Sequence, residues 1–416
     1  MSKINALIDL STNKRYLTRQ QVLYRLDNSN RLQFKRLWQD ILNYRMTKST
    51  ELPLKNEHGK SFWFMLPPFM EKKIHDLHFV ARYKLEEIAT KELIKKQLLE
   101  EMLLEESYFS SFIEGAFTTK KRAREVVKTN KASDTSEQMV LNNFNAMNFI
   151  LDNLDKEINE DLFIQIHRIL TRDILKKEDI SDGYRNDKVY VADPNLTAPV
   201  FIPPNHELIS SMMNDLFNFI NDASPEKFIQ PLIKAFIIHF YIGYVHPFFD
   251  GNGRVARAIS YMYLLKQGYE FFKFFSISSI INKDRKRYYQ SFIDAENKDL
   301  DITYFICTQL DITLESVKAV IDKLYKELKD LHLRETLAID GVLLSPRQEK
   351  CITFLEKKES NIVTIKDYEK KFKVSYETAR RDLLELSELG FFTKHSKGKK
   401  FVFLYQGLGG YLAQKK

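Results

Sequence analysis

A mainly α chain, interrupted by one small β flap and closed by a unit of three helices and a hairpin, is what this sequence predicts on three observations. Apolar residues recur at three- and four-residue steps over 84–112, 142–153, 161–171, 208–220, 232–245 and 302–332. The main exception is 184–204, which breaks that period with a short alternating pattern. Beyond 340 the sequence changes character, with three well-marked helix starts followed by two alternating runs.

With 416 residues, 44% hydrophobic and 13% aromatic, the chain can bury a sizeable core and is expected to form about two to three domains. Its start, Met-Ser-Lys-Ile-Asn, has no apolar leader, and no run approaches the roughly 18 apolar residues of a membrane helix. A cytoplasmic protein without a membrane partner is expected. Cys307 and Cys351 are far apart and lack metal-ligand spacing, so neither a disulfide framework nor a zinc site is indicated.

Taken in order, residues 1–125 read as an N-terminal helical region and 126–335 as the core. Within the core, Val189-Tyr-Val-Ala stops at Asp193-Pro-Asn and resumes near Val200-Phe-Ile, the pattern of a short hairpin or flap. A charged helix through 324–334 and the step Ile339-Asp-Gly341 lead to a last domain, 340–416. There Ser345-Pro-Arg-Gln supplies a capping serine and a first-turn proline, Thr364-Ile-Lys-Asp367 resembles a capping box, and a third helix runs from about Ser375 to Leu389 before Gly390. Two alternating runs over 391–405, joined by a basic glycine turn, complete a winged helix-turn-helix. Residues 341–416 hold sixteen Lys/Arg against nine Asp/Glu, so most of the net charge of +8 belongs to this domain. A solvated lysine-rich face and contact with nucleic acid both accommodate that basicity.

The chemistry concentrates in His246-Pro-Phe-Phe-Asp250-Gly-Asn-Gly-Arg254-Val-Ala-Arg257, between two apolar helical stretches. A neutral imidazole, His246, can accept a proton from an attacking hydroxyl. The Asp250 carboxylate is a hard ligand of the kind Mg2+ takes together with nucleotide phosphates. Gly251 and Gly253 let backbone amides approach a phosphate at a helix N-terminus, Asn252 adds a side-chain donor, and Arg254 and Arg257 supply planar forks. A lone histidine or a Gly-Asn-Gly turn is ordinarily structural; their conjunction is what marks a triphosphate site. A transition-metal site of His239, His246 and Asp250 is the rival arrangement, since seven residues put both histidines on one helix face. It leaves two arginines and a glycine loop without a task, so His239 reads as a core histidine.

These twelve residues resemble the signature of the Fic family, H-x-F-x-[D/E]-G-N-G-R-x-x-R, with every defined position filled. The similarity extends to 236–244, to Gly183-Tyr-Arg185 ahead of the flap and to Arg287-Tyr-Tyr289, over about residues 60–310. The resemblance implies a Fic-type helical core and the transfer of AMP from ATP to a Ser, Thr or Tyr hydroxyl of a protein, with release of pyrophosphate. It makes His246 the base and Asp250 the Mg2+ ligand. Gly251, Asn252 and Gly253 become the anion hole, Arg254 and Arg257 the grip on the outer phosphates, and Phe248 a core anchor. Val189 and Tyr289 are carried over as nucleotide-binding positions, with Tyr288 beside the adenine; the spacing around Ala295-Glu-Asn-Lys departs from the family pattern, so Asn297 is not. The flap resembles the family's hairpin for docking a protein substrate, which could be a second copy of the chain, and a homodimer is among the expected states.

Upstream, Ser110-Ser-Phe-Ile-Glu114-Gly115 is similar to the family's inhibitory motif, [S/T]-x-x-x-E-[G/N]. By that similarity Glu114 pairs with Arg257 and denies it to the γ-phosphate. Finally, Val374-Ser-Tyr-Glu-Thr-Ala-Arg-Arg-Asp-Leu-Leu resembles winged-helix domains of bacterial transcription regulators, placing Arg380, Arg381, Lys397, Lys399 and Lys400 toward DNA. Such domains also dock proteins. Other readings stay open at this point: a DNA-binding regulator whose core senses nucleotide, an adaptor without turnover, or a Fic enzyme that transfers another phosphate-containing group or removes AMP.

Overall fold

The computed structural model describes residues 3–26, 33–81, 92–175, 183–191, 201–224, 226, 228–296, 299–355, 361–397 and 400–414. Two compact units emerge, Met1–Ile321 and Asp322–Lys416. No helix among the described residues is long and apolar enough to cross a membrane.

The first unit opens with helices α1 (Lys3–Asp9), α2 (Arg19–Tyr24) and α3 (Phe34–Met46), then a hairpin of β1 (Thr50–Lys55) and β2 (Ser61–Phe64), then α4 (Pro68–Phe79). The hairpin is absent from the sequence expectation. Pro53 and a single short alternation, with only Leu52 and Leu54 buried in β1, give it the look of a loop, and its pairing is completed from far away. Trp63 N–H donates to Leu300 O at 3.1 Å, and Ile302 N–H to Trp63 O at 3.0 Å.

Helices α5 (Glu92–Ile113), α6 (Lys120–Thr129), α7 (Thr135–Asp152) and α8 (Glu160–Thr171) follow. Asp134 and Asn159 cap α7 and α8 by accepting from the N–H three residues on. The flap is described at its feet, where Val191 and Phe201 form an antiparallel bridge; residues 192–200 lie outside the described residues. After α9 (Ile209–Asn221) come α10 (Pro231–Val245) and α11 (Asn252–Lys266), which pack on each other at the centre of the unit. α10 is apolar on all faces and buried almost throughout, as a central helix must be. Helices α12 (Ile277–Lys283), α13 (Arg285–Ala295) and the first half of the long α14 (Thr303–Ile339), which runs on past Ile321 into the second unit, complete this unit.

Arg45 ties the N-terminal helices to the start of α14. It is fully buried, lies 3.6 Å from the equally buried Asp301, and donates to Tyr304 Oη at 2.6 Å and to the carbonyls of Ser11 and Leu17 at 2.8 Å each. Tyr16 closes the network by donating to Asp301 at 2.5 Å, with the Arg45 guanidinium 3.9 Å from its ring centroid.

The second unit holds α15 (Pro346–Leu355), β3 (Ile362–Thr364), α16 (Ile365–Phe372), α17 (Tyr376–Glu388), β4 (Phe392–Lys397), β5 (Lys400–Tyr405) and α18 (Gly407–Gln414). The capping box of Thr364 with Asp367, the Ser375 cap and the left-handed Gly390 fall where the sequence places them. The sheet order is β3-β5-β4, so the wing gains a third strand of three residues, and α18 is a further addition. Cys351, Leu383, Phe391, Phe403 and Tyr411 are central to its core.

Arg45→Ala is expected to cost about 3–5 kcal/mol, because it strands a buried carboxylate and two carbonyls. A urea titration followed by tryptophan fluorescence checks this; an unchanged midpoint contradicts it.

Candidate active site

The site forms where α10 hands over to α11. His246 ends α10 in the left-handed region, at φ 51 and ψ 59, and Gly251 re-enters it at φ 86 to start α11, so two reversals bracket a four-residue loop. At Gly251 the reversal also needs a missing Cβ, which would stand 2.9 Å from Thr171 Cγ2. Asn252 secures the loop: its Oδ1 accepts from Phe248 N–H at 2.9 Å and its Nδ2 donates to Phe248 O at 2.8 Å. The free side-chain donor expected of Asn252 is therefore spent inside the loop. What it leaves for a ligand is its backbone N–H in the first turn of α11. Phe248 is buried as anticipated and stacks on His167 at 3.5 Å.

The half-buried His246 ring places Nδ1 3.1 Å from Gly243 O. A carbonyl only accepts, so Nδ1 carries the hydrogen and Nε2 keeps its lone pair. Burial pushes the imidazole below its ordinary value near 6.5, so it is neutral at pH 7.

Asp250 is exposed, with Oδ1 accepting from Gly251 N–H at 2.6 Å and Oδ2 from Arg254 Nη2 at 3.1 Å. Arg254 itself is fully buried and gives Nη1 to Leu170 O at 2.9 Å. The open phosphate fork expected of Arg254 is thus a buried strut, because helical spacing turns its side chain under the loop toward α8. His167, which the sequence reading passed over, donates Nε2–H to Asp250 O at 2.9 Å and is held neutral by burial, with its pKa lowered to about 4. A single histidine on an apolar helix face carries no sequence signature.

Arg257 is 7% exposed and faces the end of α5. Nε donates to Ser110 Oγ at 2.9 Å, and Nη2 donates to Ser110 O at 3.1 Å and to Glu114 Oε1 at 2.8 Å. Gly115, at φ 97, terminates the turn that carries Glu114. A Cβ on Gly253 would lie 2.2 Å from Glu114 Oε1 and 3.2 Å from Arg257 Nη1, a buried nitrogen with no hydrogen-bond partner among the described residues. A carboxylate therefore rests against the first turn of α11. Farther back on α5, Glu106 accepts from Ser276 Oγ and Ser278 N–H at 3.0 Å each and from Ser278 Oγ at 2.5 Å, which fastens the helix to the start of α12. The sequence reading missed Glu106 as well.

Of the remaining sequence candidates, Tyr289 lies on α13, partly exposed, edge-on to Tyr288 at 5.3 Å and within the electrostatic reach of Glu114 and Arg257. Val189 is half-buried beside the exposed Tyr190 at the foot of the flap. His239 is buried, 2.9 Å from Tyr288 Oη, with its pKa lowered by burial to about 3; no cluster of three or more metal-binding side chains occurs among the described residues. In the second unit, Arg380 and Arg381 are exposed on α17, 3.8 and 3.9 Å from Glu377 and Glu385. Lys397 and Lys400 pair at the tip of the wing, while Lys399, like Asn297 in the first unit, lies outside the described residues.

The Gly253 geometry sets up a double-mutant cycle. Gly253→Ala alone is expected to destabilise by about 1–3 kcal/mol through overpacking, and Glu114→Gly to remove most of that cost. Additive denaturation midpoints would show that the two positions do not touch.

A family model described as Fic/DOC family matches residues 157–264, and one described as DeoR-like helix-turn-helix domain matches 347–402. Among curated proteins, the protein adenylyltransferase Fic of Nematostella vectensis is 29% identical over 200 residues, 46% of this chain and 43% of that one. Its counterpart in Aedes aegypti is 27% identical over 220 residues, 50% and 40% of the two chains. The chain thus spans less than half the length of these relatives. Among solved structures, a Fic family protein from Desulfovibrio desulfuricans G20 aligns with a TM-score of 0.52 and 18% identity, over 82% of this chain and 97% of that one, a likeness of fold. The chain carries a Fic/DOC-family domain followed by a DeoR-like helix-turn-helix domain.

Proposed function

We propose that the first unit is a protein adenylyltransferase that moves AMP from ATP to a Ser, Thr or Tyr hydroxyl of a protein, and that Glu114 restrains it. One observation carries the reading: the Glu114 carboxylate sits on Arg257 and against Gly253, so an anion already stands at the helix N-terminus where the motif calls for a phosphate. The curated relatives named above support the reaction class.

In the proposed step the hydroxyl oxygen bonds to the α-phosphorus while the bond from that phosphorus to the bridging oxygen breaks, and pyrophosphate leaves with that oxygen. The hydroxyl proton passes to Nε2 of His246, the ring nitrogen left free by the Gly243 contact. The backbone N–H groups of the first turn of α11 face the phosphates. Arg254 holds Asp250 in place from beneath. Asp250 offers an exposed, hard oxygen, which fits Mg2+, an ion that needs only one or two carboxylates when phosphates and water complete its shell. When bound there, Mg2+ neutralises phosphate charge. An extended client segment pairs with the flap, whose register at Val191 and Phe201 leaves Tyr190 60% exposed.

A charge-assisted bond such as Arg257 to Glu114 is worth about 1.5–3 kcal/mol, or about one to two decades in productive ATP binding. Glu114→Gly is therefore expected to raise AMP incorporation from labelled ATP by about tenfold or more, and a second change, His246→Ala, to abolish it. Equal incorporation by parent and Glu114→Gly rejects the restraint; incorporation that survives His246→Ala rejects the base.

The second unit supports a further proposal, DNA binding through α17 and the wing, on its match to a DeoR-like helix-turn-helix domain. Fluorescence anisotropy with random duplex is expected to show affinity that falls steeply with salt; no binding at low salt rejects it.

A further inference from the structure

Arg185 stands six residues before the flap bridge at Val191 and is 3% exposed. Its guanidinium is spent entirely on carbonyl oxygens. Nε donates to His246 O at 2.8 Å, Nη1 to Asp187 O at 2.8 Å, and Nη2 to Pro204 O at 2.6 Å with a longer reach of 3.4 Å to Val245 O. Its own backbone N–H donates to Pro247 O at 2.9 Å. Asp187 precedes the flap and Pro204 follows it, so one planar fork clamps both feet of the flap to the backbone that aims the imidazole.

That backbone needs a clamp. His246 is a non-glycine residue at φ 51, a conformation that persists only where the surroundings over-determine it. Arg185 touches the peptide groups on both sides of it, through the carbonyl of His246 at 2.8 Å and the longer reach to that of Val245 at 3.4 Å, and its backbone N–H holds the next carbonyl, Pro247 O. A lysine could not reproduce this, since a compact ammonium lacks the rigid three-way fork.

We propose that Arg185 is a positioning residue that joins the flap and the His246 backbone into one mechanical unit, so that a client strand docked on the flap sets the aim of the base. The proposal deepens the adenylyltransferase reading and rests on it for the client, while the coupling itself can be read without turnover.

The charged groups acting on His246 are Arg185, which lowers its pKa, and Glu114 and Asp250, which raise it. Replacing the guanidinium by a neutral side chain therefore moves the imidazole pKa up, and a lysine that keeps the charge leaves it in place. The test uses full-length protein with Arg185→Gln and Arg185→Lys, each alone and combined with Glu114→Gly. The His246 ring is titrated by 15N NMR, assigned with His246→Ala, and amide exchange is followed at Val191 and Phe201.

In Arg185→Gln the His246 pKa is expected to rise and flap amide exchange to accelerate about tenfold or more. In the Glu114→Gly background, kcat for AMP incorporation is expected to fall about tenfold or more with KM for ATP within about twofold, and the acid limb of the rate profile to move to higher pH. Arg185→Lys is expected to loosen the flap and lower kcat while the His246 pKa stays, and it carries the test alone if the glutamine variant does not fold. A lowered melting temperature with unchanged flap exchange and unchanged His246 titration would reduce Arg185 to scaffolding and overturn the proposal. Should Glu114→Gly transfer no AMP, the adenylyltransferase reading falls, and the titration and exchange data still decide the coupling.

Discussion

A guanidinium placed one and a half turns into a buried helix has to be neutralised, and Arg257 sets that demand on everything around it. Leaving such a charge unpaired costs several kcal/mol, so acceptors must come from a neighbouring element. The end of α5 supplies them, through Ser110 Oγ, Ser110 O and the Glu114 carboxylate. The arrangement stops short of full satisfaction, with Nη1 buried and, among the described residues, unpartnered beside Gly253. On the proposed reading, the Nη1 group beside Gly253 in the first turn of α11 is where a second anion can be taken up.

On the proposed reading, the loop between α10 and α11 meets the complementary demand, that a base be aimed without occupying the space for a phosphate. Two left-handed residues bracket it, Asn252 staples it at both hydrogen-bonding groups of Phe248, and His167 stacks on Phe248 while holding Asp250 O. Asp250, Asn252 and Arg254, which look in the sequence like ligand contacts, are first of all contacts within the loop or to its anchor. Asn252 and Arg254 give up their side chains to this task, which leaves the orphan backbone N–H groups of the helix's first turn as the remaining donors. Rigidity of this kind suits transfer between two bound partners, where a small error in aim is expensive.

How much of this was legible followed from whether a feature is local in sequence. The central helices, the caps at Thr364 and Ser375 and the turn glycines at 251 and 390 are written within a few residues, and they stand where the pattern puts them. The motif from His246 to Arg257 is local as well, and the approach of Glu114 to Arg257, 143 residues apart, was legible only because a second local motif marked its other end. The β1–β2 hairpin was illegible because its pairing is completed by 300–302, and a strand with one buried alternation and a proline reads as a loop. Glu106, His167 and Arg185 escaped for a related reason. Each acts by touching backbone or hydroxyl groups far along the chain, and no spacing rule connects a side chain to a remote carbonyl.

The contrast between Glu106 and Glu114 bears on how the proposed restraint could be firm and still releasable. Glu106 lies in the C-terminal half of α5 and Glu114 just past its end, eight residues apart, yet Glu106 is buried and makes three hydrogen bonds at the start of α12, whereas the Glu114 side chain is 23% exposed and meets one arginine. Glu114 also lies past the last residue of α5, in a turn held by Glu114 N–H to Ser111 O at 3.1 Å and Gly115 N–H to Phe112 O at 3.2 Å. Freeing the carboxylate therefore requires opening one terminal turn, and terminal turns are the low-stability end of any helix. Moving α5 as a whole would uncap α12 and strand a buried carboxylate, at a cost several-fold larger. The fold thus separates the anchor Glu106 from Glu114, and under the proposed restraint a phosphate that offers Arg257 an equivalent acceptor has only to displace the Glu114 carboxylate.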